Sequence, residues 1–139
     1  MLLADAVQAV HGKLYILGGG WSVMGPQPTQ TAIAIKIEVP WDQADLPHTW
    51  RLELLDSDGR PVLLDTDAEG RPVEMKGEFK VGRPPGLKPG TPLDVPLALT
   101  FGALPVPPGG RYVWRLTIDG RSEDDWRLAF STLPEPAER

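Results

Sequence analysis

The sequence predicts an all-β protein, an antiparallel two-sheet sandwich of the immunoglobulin-like kind with about nine short strands. Apolar residues recur at every second position in several segments, which is typical of strands that bury one face. The chain of 139 residues contains 16 prolines and 15 glycines, and most of them separate these segments as turn residues do. No segment has the periodicity of a convincing helix.

The clearest strand spans residues 31–39, where four large aliphatic residues alternate with Ala34, Lys36 and Glu38. We expect a central strand whose face with those three residues lies in solvent. The other predicted strands are residues 3–10, 13–17, 50–54, 62–64, 73–81, 93–101, 112–118 and 126–130.

The connections predict hairpins and one crossover. Asp58-Gly59 and Asp119-Gly120 supply the positive φ angles that tight hairpin turns require, so successive strands should pair antiparallel. Residues 83–90, rich in proline and glycine, form the longest irregular connection and are expected to cross from one sheet to the other. Pro96 indicates an edge strand or a bulge.

Aromatic residues indicate where the core lies. Tyr112 follows the segment 108–110, Pro-Gly-Gly, as the tyrosine of a sandwich corner does, so its hydroxyl should bond to upstream backbone. Trp50, Trp114 and Trp126 are in phase with the apolar faces of their strands and are expected in the core.

Composition limits the classes of protein. One sandwich domain is predicted over residues 1–133, with a flexible tail at 134–139. The absence of cysteine excludes disulfides and thiolate metal sites, and fits a reducing, cytoplasmic location. A net charge of -5 argues against binding to nucleic acid through its phosphates. No apolar run reaches the roughly 20 residues of a membrane span, so no membrane partner is expected.

Residues for catalysis are few. The only histidines are His11 and His48, which we expect to be solvated surface residues. No nucleophile elbow or zinc-binding helix motif is present. We therefore expect neither an enzyme nor a cofactor.

An acidic turn raises the question of calcium. Asp65, Asp67 and Glu69 provide oxygen atoms at alternate positions, as at the start of an EF-hand loop, but Lys76 stands where the loop needs its bidentate carboxylate. The EF-hand interpretation therefore fails. A solvated hairpin turn is the ordinary interpretation, and a looser calcium site shared with the acidic turn at 56–58 is the alternative.

Two loops contain candidate contact residues. Gly18, Gly19 and Gly20 precede Trp21, but the spacing of a phosphate-binding loop is absent, so a bulge or wide turn with Trp21 packed over a sheet end is the structural interpretation. Trp21 and Trp41 both fall in predicted loops. Each is either a lid over a sheet edge or an exposed platform for a sugar ring or a partner side chain.

Three segments carry a resemblance to known sequences: LLADA at 2–6, GKLYILGGGW at 12–21 and GRYVW at 110–114. Together they resemble a group of small, uncharacterised bacterial proteins of about this length. The resemblance implies a bacterial single-domain protein. It carries no activity, cofactor or catalytic residue.

The leading functional hypothesis is a non-catalytic binding or assembly module that uses loops or strand edges, with a protein partner or a second copy of itself. The alternative is a carbohydrate- or small-ligand-binding domain that uses Trp21 and Trp41, with Gly18, Gly19 and Gly20 nearby. A third hypothesis, an enzyme, requires two carboxyl groups that converge in a pocket.

Overall fold

The computed structural model describes residues 1–27, 29–63, 70–104 and 106–136. In these ranges the regular structure consists of ten strands and one short 3-10 helix, Trp41–Gln43, so the prediction of an all-β protein is confirmed. The strands are β1 (Leu2–Ala4), β2 (Ala6–Val10), β3 (Lys13–Leu17), β4 (Val23–Met24), β5 (Thr31–Val39), β6 (His48–Asp56), β7 (Glu74–Phe79), β8 (Leu93–Phe101), β9 (Arg111–Ile118) and β10 (Arg127–Thr132).

Two sheets face each other across one core. The larger has the strand order β4-β10-β9-β6-β7 and the smaller the order β1-β5-β8. Neighbouring strands are antiparallel, except that β4 runs parallel to β10. Side chains of both sheets meet in a single buried cluster, in which Phe101 of β8 stacks on Trp114 of β9 with ring centroids 4.7 Å apart. The chain is therefore a β-sandwich.

The hairpin of β2 and β3 adds a third layer outside the smaller sheet. The segment 3–10, predicted as one strand, bends at Asp5, so that β1 stays in the smaller sheet while β2 pairs only with β3. Val7 of the hairpin packs on Ala32 and Ala34 of β5 and closes a small second core. The expectation of a solvated outer face is thus wrong at Ala34, because small side chains there leave room for a covering layer.

The turns and the crossover follow the sequence, except that of the pair Asp58-Gly59 only Gly59 has a positive φ, 78°. His11 and Gly12 join β2 to β3 with φ of 50° and 74°, and Asp119 and Gly120 begin the connection from β9 to β10 with φ of 50° and 79°. The connection between β7 and β8 passes from the larger sheet to the smaller, as predicted. Pro96 lies in β8, which is an edge strand of its sheet, so this prediction is also confirmed.

Some predictions fail locally. In the predicted strand 62–64, only Leu63 forms an isolated bridge, to Pro72, and residue 64 lies outside the described residues. The two-residue strand β4 carried no sequence signal. Residues 134–136 of the predicted tail are exposed without regular structure, and residues 137–139 are outside the described part.

The predicted tyrosine corner is confirmed. The hydroxyl of Tyr112 donates a hydrogen bond of 3.1 Å to the carbonyl of Pro107. A Cβ at Gly110 would lie 2.6 Å from that hydroxyl, so the corner needs glycine there. Of the tryptophans expected in the core, Trp114 is buried completely and Trp126 is only half-buried against the core.

Candidate functional site

The glycine segment of the predicted contact site has a structural task. The amide of Gly20 donates to the carbonyl of Leu3 at 2.7 Å, and the amide of Asp5 bonds to the carbonyl of Leu17 at 3.1 Å. The segment thus lies along the outer side of β1. Gly18 has a φ of 60°, and a Cβ there would fall on the carboxylate of Asp5. These contacts join the LLADA and GGGW motifs in space.

The two loop tryptophans lie far apart. Gly20, just before Trp21, is level with Ile33 of β5, whereas Trp41 follows the opposite end of β5 at Val39. Six strand residues, about 20 Å, separate these levels. Both indoles are half-buried against the main core, and the indole N–H of Trp21 is itself buried without a partner in the described part of the chain. The structure therefore does not bring the two rings into one surface.

Trp41 borders a small hollow. The guanidinium of Arg83 lies over one face of its ring, 4.7 Å from the centroid, and donates 2.7 Å to its backbone carbonyl. The hollow, of about 470 Å³, is lined by Glu38, Pro40, Trp41, Asp42, Gly90 and Pro92. It offers one aromatic edge and two carboxylates to a small polar molecule.

A larger groove of about 770 Å³ lies on the outer face of the larger sheet. At its centre the side chain of Glu53 is only 10% exposed, because Arg51 and Arg115 lie over it at 3.4 and 3.1 Å. Arg51 also binds Glu74 at 2.7 Å, which raises the pKa of its guanidinium. The charges of this groove are therefore largely paired with one another.

Arg51, Arg115 and Arg127 each follow a tryptophan in sequence and lie on three strands of the larger sheet. Their strands prove to be neighbours, and Arg115 stands opposite Glu53 on β6 and Arg127 on β10. The result is an ion-pair lattice that includes two of the three arginines. Although Glu53 is nearly buried, both arginines remain partly exposed, and ion pairs on a sheet surface also occur as purely structural features, so the lattice is not by itself a sign of function.

His48 is buried, at 7% exposure, and the expectation of a solvated ring is wrong for it. Its Nδ1 lies 2.7 Å from Asp119 Oδ2, its Nε2 lies 3.0 Å from the carbonyl of Gln43, and its ring stacks on Phe79. The hydrogen bonds to Asp119 and Gln43 raise the pKa of His48, and the bond with His48 lowers the pKa of Asp119. Because both ring nitrogens are engaged, this histidine holds a loop in place.

The calcium hypothesis concerns Asp65, Asp67 and Glu69, which lie outside the described residues. Elsewhere, in the ranges that the structure describes, no group of three or more potential ligands could hold a metal ion. Within the same ranges, no helix has the length and apolar character to cross a membrane.

The outer face of the β2–β3 hairpin is exposed and mostly apolar, with Gln8 and Lys13 as its polar members. Val7 and Leu14 point towards the smaller sheet, so Val10, Tyr15 and Leu17 point away from it. Tyr15 is 56% exposed and Leu17 is 70% exposed. No Asp or Glu occurs in either strand.

The backbone of β3 also has a free edge. Val10 and Lys13 flank a two-residue turn and therefore form a hydrogen-bonded pair, and the pairs alternate from there. The N–H and C=O groups of Leu14 and Ile16 consequently point away from β2, and they bond to no other described segment. We call this edge, together with the outward side chains of Gln8, Val10, Tyr15 and Leu17, the hairpin surface.

Sequence reasoning placed β3 correctly but did not single out the hairpin surface. Leu14 and Leu17 point to opposite faces, and alternation alone does not say which one is buried. One available signal was the row of small residues on β5 and β8, Ala32, Ala34 and Ala98, which fits a layer packed above. Another was the run Leu14 to Leu17 itself, apolar on both faces.

Comparison with known proteins gives one result. A search of curated proteins and a search of solved structures both returned no match. A family profile, described as a family of unknown function (DUF6941), matches residues 1–131. These residues include the hairpin, both sheets of the sandwich and all but the last residue of β10. The chain therefore belongs to this family of unknown function.

Proposed function

We propose that the domain is a non-catalytic binding and assembly module that engages a protein through its hairpin surface. One observation carries the proposal: β3 is an open strand edge whose only charged residue, Lys13, lies at its turn end. Its residues from Leu14 to Leu17 include no charge and no proline. An extended segment added at this edge would gain backbone hydrogen bonds and apolar contacts together.

Two edges of the sandwich sheets, at β7 and β8, are protected. β7 has a charged residue at every second position, namely Glu74, Lys76 and Glu78, and β8 has Pro96 in its middle. Charged side chains and proline on an edge discourage the addition of another strand. The contrast with β3 supports binding at the hairpin over binding at these two edges.

Both faces of β3 are accessible. Ile16 points to the same side as Val7, towards the smaller sheet, yet it remains 40% exposed. β3 therefore overhangs the layer beneath it. A partner strand beside β3 would bury Ile16 on one face and Tyr15 on the other.

We further infer an immunoglobulin-like sandwich. The orders β1-β5-β8 and β4-β10-β9-β6-β7 correspond to strands A-B-E and to G-F-C-C′ with a short strand beside G. Tyr112 stands near the start of the strand that corresponds to F, as the tyrosine corner does. In this correspondence the β2–β3 hairpin is an insertion between β1, which corresponds to strand A, and β4, the short strand beside G. Since a fold alone does not give a function, the binding proposal rests on the hairpin surface.

Two further features are in keeping with a non-catalytic role. The charged groups of the large groove mainly pair with one another, and the ring nitrogens of His48 are both engaged. The absence of cysteine is in keeping with a cytoplasmic location.

Site-specific photo-crosslinking tests the binding proposal. A photoreactive phenylalanine analogue at Tyr15 should give a discrete adduct in cells of the native organism, to be identified by mass spectrometry. The matched control is the same analogue at Glu78, an exposed strand position in the larger sheet. Absence of an adduct at position 15, or equal adducts at both positions, would overturn the proposal.

The hollow beside Trp41 favours a second candidate, a small-carbohydrate site. Its support is the indole edge next to Glu38 and Asp42, since sugars combine an apolar ring face with hydroxyl donors. A panel of mono- and disaccharides, followed by the shift in melting temperature, tests this candidate. A shift that a Trp41→Ala variant loses would support it, and no shift with any sugar would exclude it.

A further inference from the structure

We propose that the partner of the hairpin surface is a second copy of this chain, joined by antiparallel pairing of β3 with β3 across a two-fold axis. This inference rests on the proposed function and specifies its partner. The two hairpins would form one four-stranded sheet with the order β2-β3-β3-β2. Such an interface is isologous, so one surface patch serves both copies.

Charge favours a second copy at this place. The protein has a net charge of -5, so two copies repel each other over most orientations. The strands β2 and β3 contain no carboxylate, and Lys13 is their only charged residue. The hairpin surface is thus a place where two acidic molecules can meet without carboxylates facing each other.

The free backbone groups fix the register. The outward N–H and C=O groups belong to Leu14 and Ile16, so full use of them pairs Leu14 of one copy with Ile16 of the other. Tyr15 then lies on the axis, opposite Tyr15 of the second copy, in a pair without mutual hydrogen bonds. Lys13 comes to lie opposite Leu17, so no like charges are opposed.

The pairing would cover what the monomer leaves exposed. Ile16 would face Leu14 of the second copy on the sheet side, and the two Tyr15 rings would meet on the outer side. Four backbone hydrogen bonds would complete the edge. One symmetric contact would therefore pair the strand edge and bury both the apolar face and the overhanging Ile16 side chain.

The first test measures mass in solution. Sedimentation velocity over a wide concentration range should show the wild-type chain as a dimer that dissociates on dilution. Tyr15→Lys and Tyr15→Glu should each be monomeric, because like charges meet on the axis. An equimolar mixture of these two variants should regain dimers, since opposite charges then meet. Ser57→Lys adds the same charge at an exposed turn of the larger sheet, away from the hairpin, and should leave the dimer intact.

The second test measures register. The chain has no cysteine, so a single introduced thiol reports without background. In the proposed pairing the two Cα atoms at position 15 are about 4.5 Å apart, within the range of about 4.4–6.8 Å that a disulfide spans. Tyr15→Cys should therefore give an oxidised dimer. Leu17→Cys should not, since its two copies are four residues, about 13 Å, apart along the strand.

Three outcomes would overturn the second copy as partner: a wild-type monomer at every concentration, a dimer that Tyr15→Lys leaves intact, or crosslinking at position 17 as readily as at 15. Failure of this inference is distinguishable from failure of the proposed function. A photo-crosslinked adduct at position 15 with a different protein would keep the binding module and remove the homodimer.

Discussion

The Nδ1 atom of His48 lies 2.7 Å from Oδ2 of Asp119, and this contact ties the start of β6 to the turn after β9. The other carboxylate oxygen of Asp119 accepts the backbone amide of Thr49 at 2.9 Å. One aspartate therefore fixes both the ring and the backbone of the neighbouring strand. Because the ring donates on both sides, its protonated form suits this environment best.

The first prediction concerns the pH dependence of stability. The pKa of His48 is raised from 6.5, so its stabilising contribution is present below pH 6.5 and is lost as pH rises through the higher folded-state pKa. The pKa of Asp119 is lowered from 3.8, so its contribution is present above pH 3.8 and is lost as pH falls through the lower folded-state pKa. At pH values between the two folded-state pKa values, the His48–Asp119 pair contributes most to the free energy of unfolding.

Asp119→Asn tests this directly. Asparagine keeps a side-chain oxygen that can accept the backbone amide of Thr49, and it tolerates positive φ, but it removes the negative charge. We expect a loss of about 1 kcal/mol in the free energy of unfolding near pH 5, and a smaller loss at alkaline pH. Urea unfolding at both pH values measures it, with Asp124→Asn, an exposed change in the same loop, as control. A loss that increases with pH would contradict the assignment.

The second prediction concerns the tyrosine corner. Tyr112→Phe removes the hydrogen bond to Pro107, whose carbonyl still accepts from the hydroxyl of Thr132 at 2.8 Å. Because that carbonyl keeps a partner, the cost should be only about 1 kcal/mol in urea unfolding. Tyr15→Phe removes the hydroxyl of the other tyrosine, which is exposed, and should leave stability unchanged. Equal effects of both changes would argue against the corner.

The third prediction concerns the glycine segment. Gly18→Ala forces a side chain into the left-handed region and against Asp5, and should lower stability by about 2 kcal/mol or more. Gly25→Ala is the matched control, since nothing lies within 4 Å of a Cβ there and its φ is not positive. Thermal unfolding of the two variants gives the comparison. A Gly18→Ala protein as stable as the control would show that the segment rearranges at no cost.

The fourth prediction concerns the groove of the larger sheet. Glu53→Gln leaves two guanidinium groups around a neutral, nearly buried amide, and should cost about 2 kcal/mol in urea unfolding. Glu38→Gln breaks an exposed, solvent-screened pair with Lys36 at 3.5 Å and should cost much less. High salt should reduce the destabilisation caused by Glu38→Gln more than the destabilisation caused by Glu53→Gln. Similar costs for both carboxylates would mean that burial of Glu53 adds nothing.

Much of the sandwich could be predicted because its strands bury one face each. The alternation in β5 and the Pro-Gly-Gly corner before Tyr112 are local signals, and local signals are visible in sequence. The bend at Asp5 is different. It depends on Gly18 and Gly20, more than ten residues away, which take up the edge of β1. No periodicity within residues 3–10 reports such a distant contact.

The candidate surface was harder to predict than the fold. Trp21 and Trp41 were predicted as contact residues because they are aromatic residues in loops, yet both lie half-buried against the core. Tyr15 and Leu17 lie in a strand whose alternation is consistent with burial of either face. Which face is exposed depends on the third layer, and this layer forms because β5 presents alanines to Val7.

The parallel contact of β4 with β10 has a consequence for how the protein is made. Met24 pairs with Thr132, so the closing contact of the larger sheet joins residues more than a hundred positions apart. Contacts of such high sequence separation form slowly and late. During synthesis on the ribosome, the edge of the larger sheet stays open until β10 has emerged, and the apolar interior is exposed for that time. A chaperone that shields nascent chains would therefore act most usefully on this protein just before its last strand arrives.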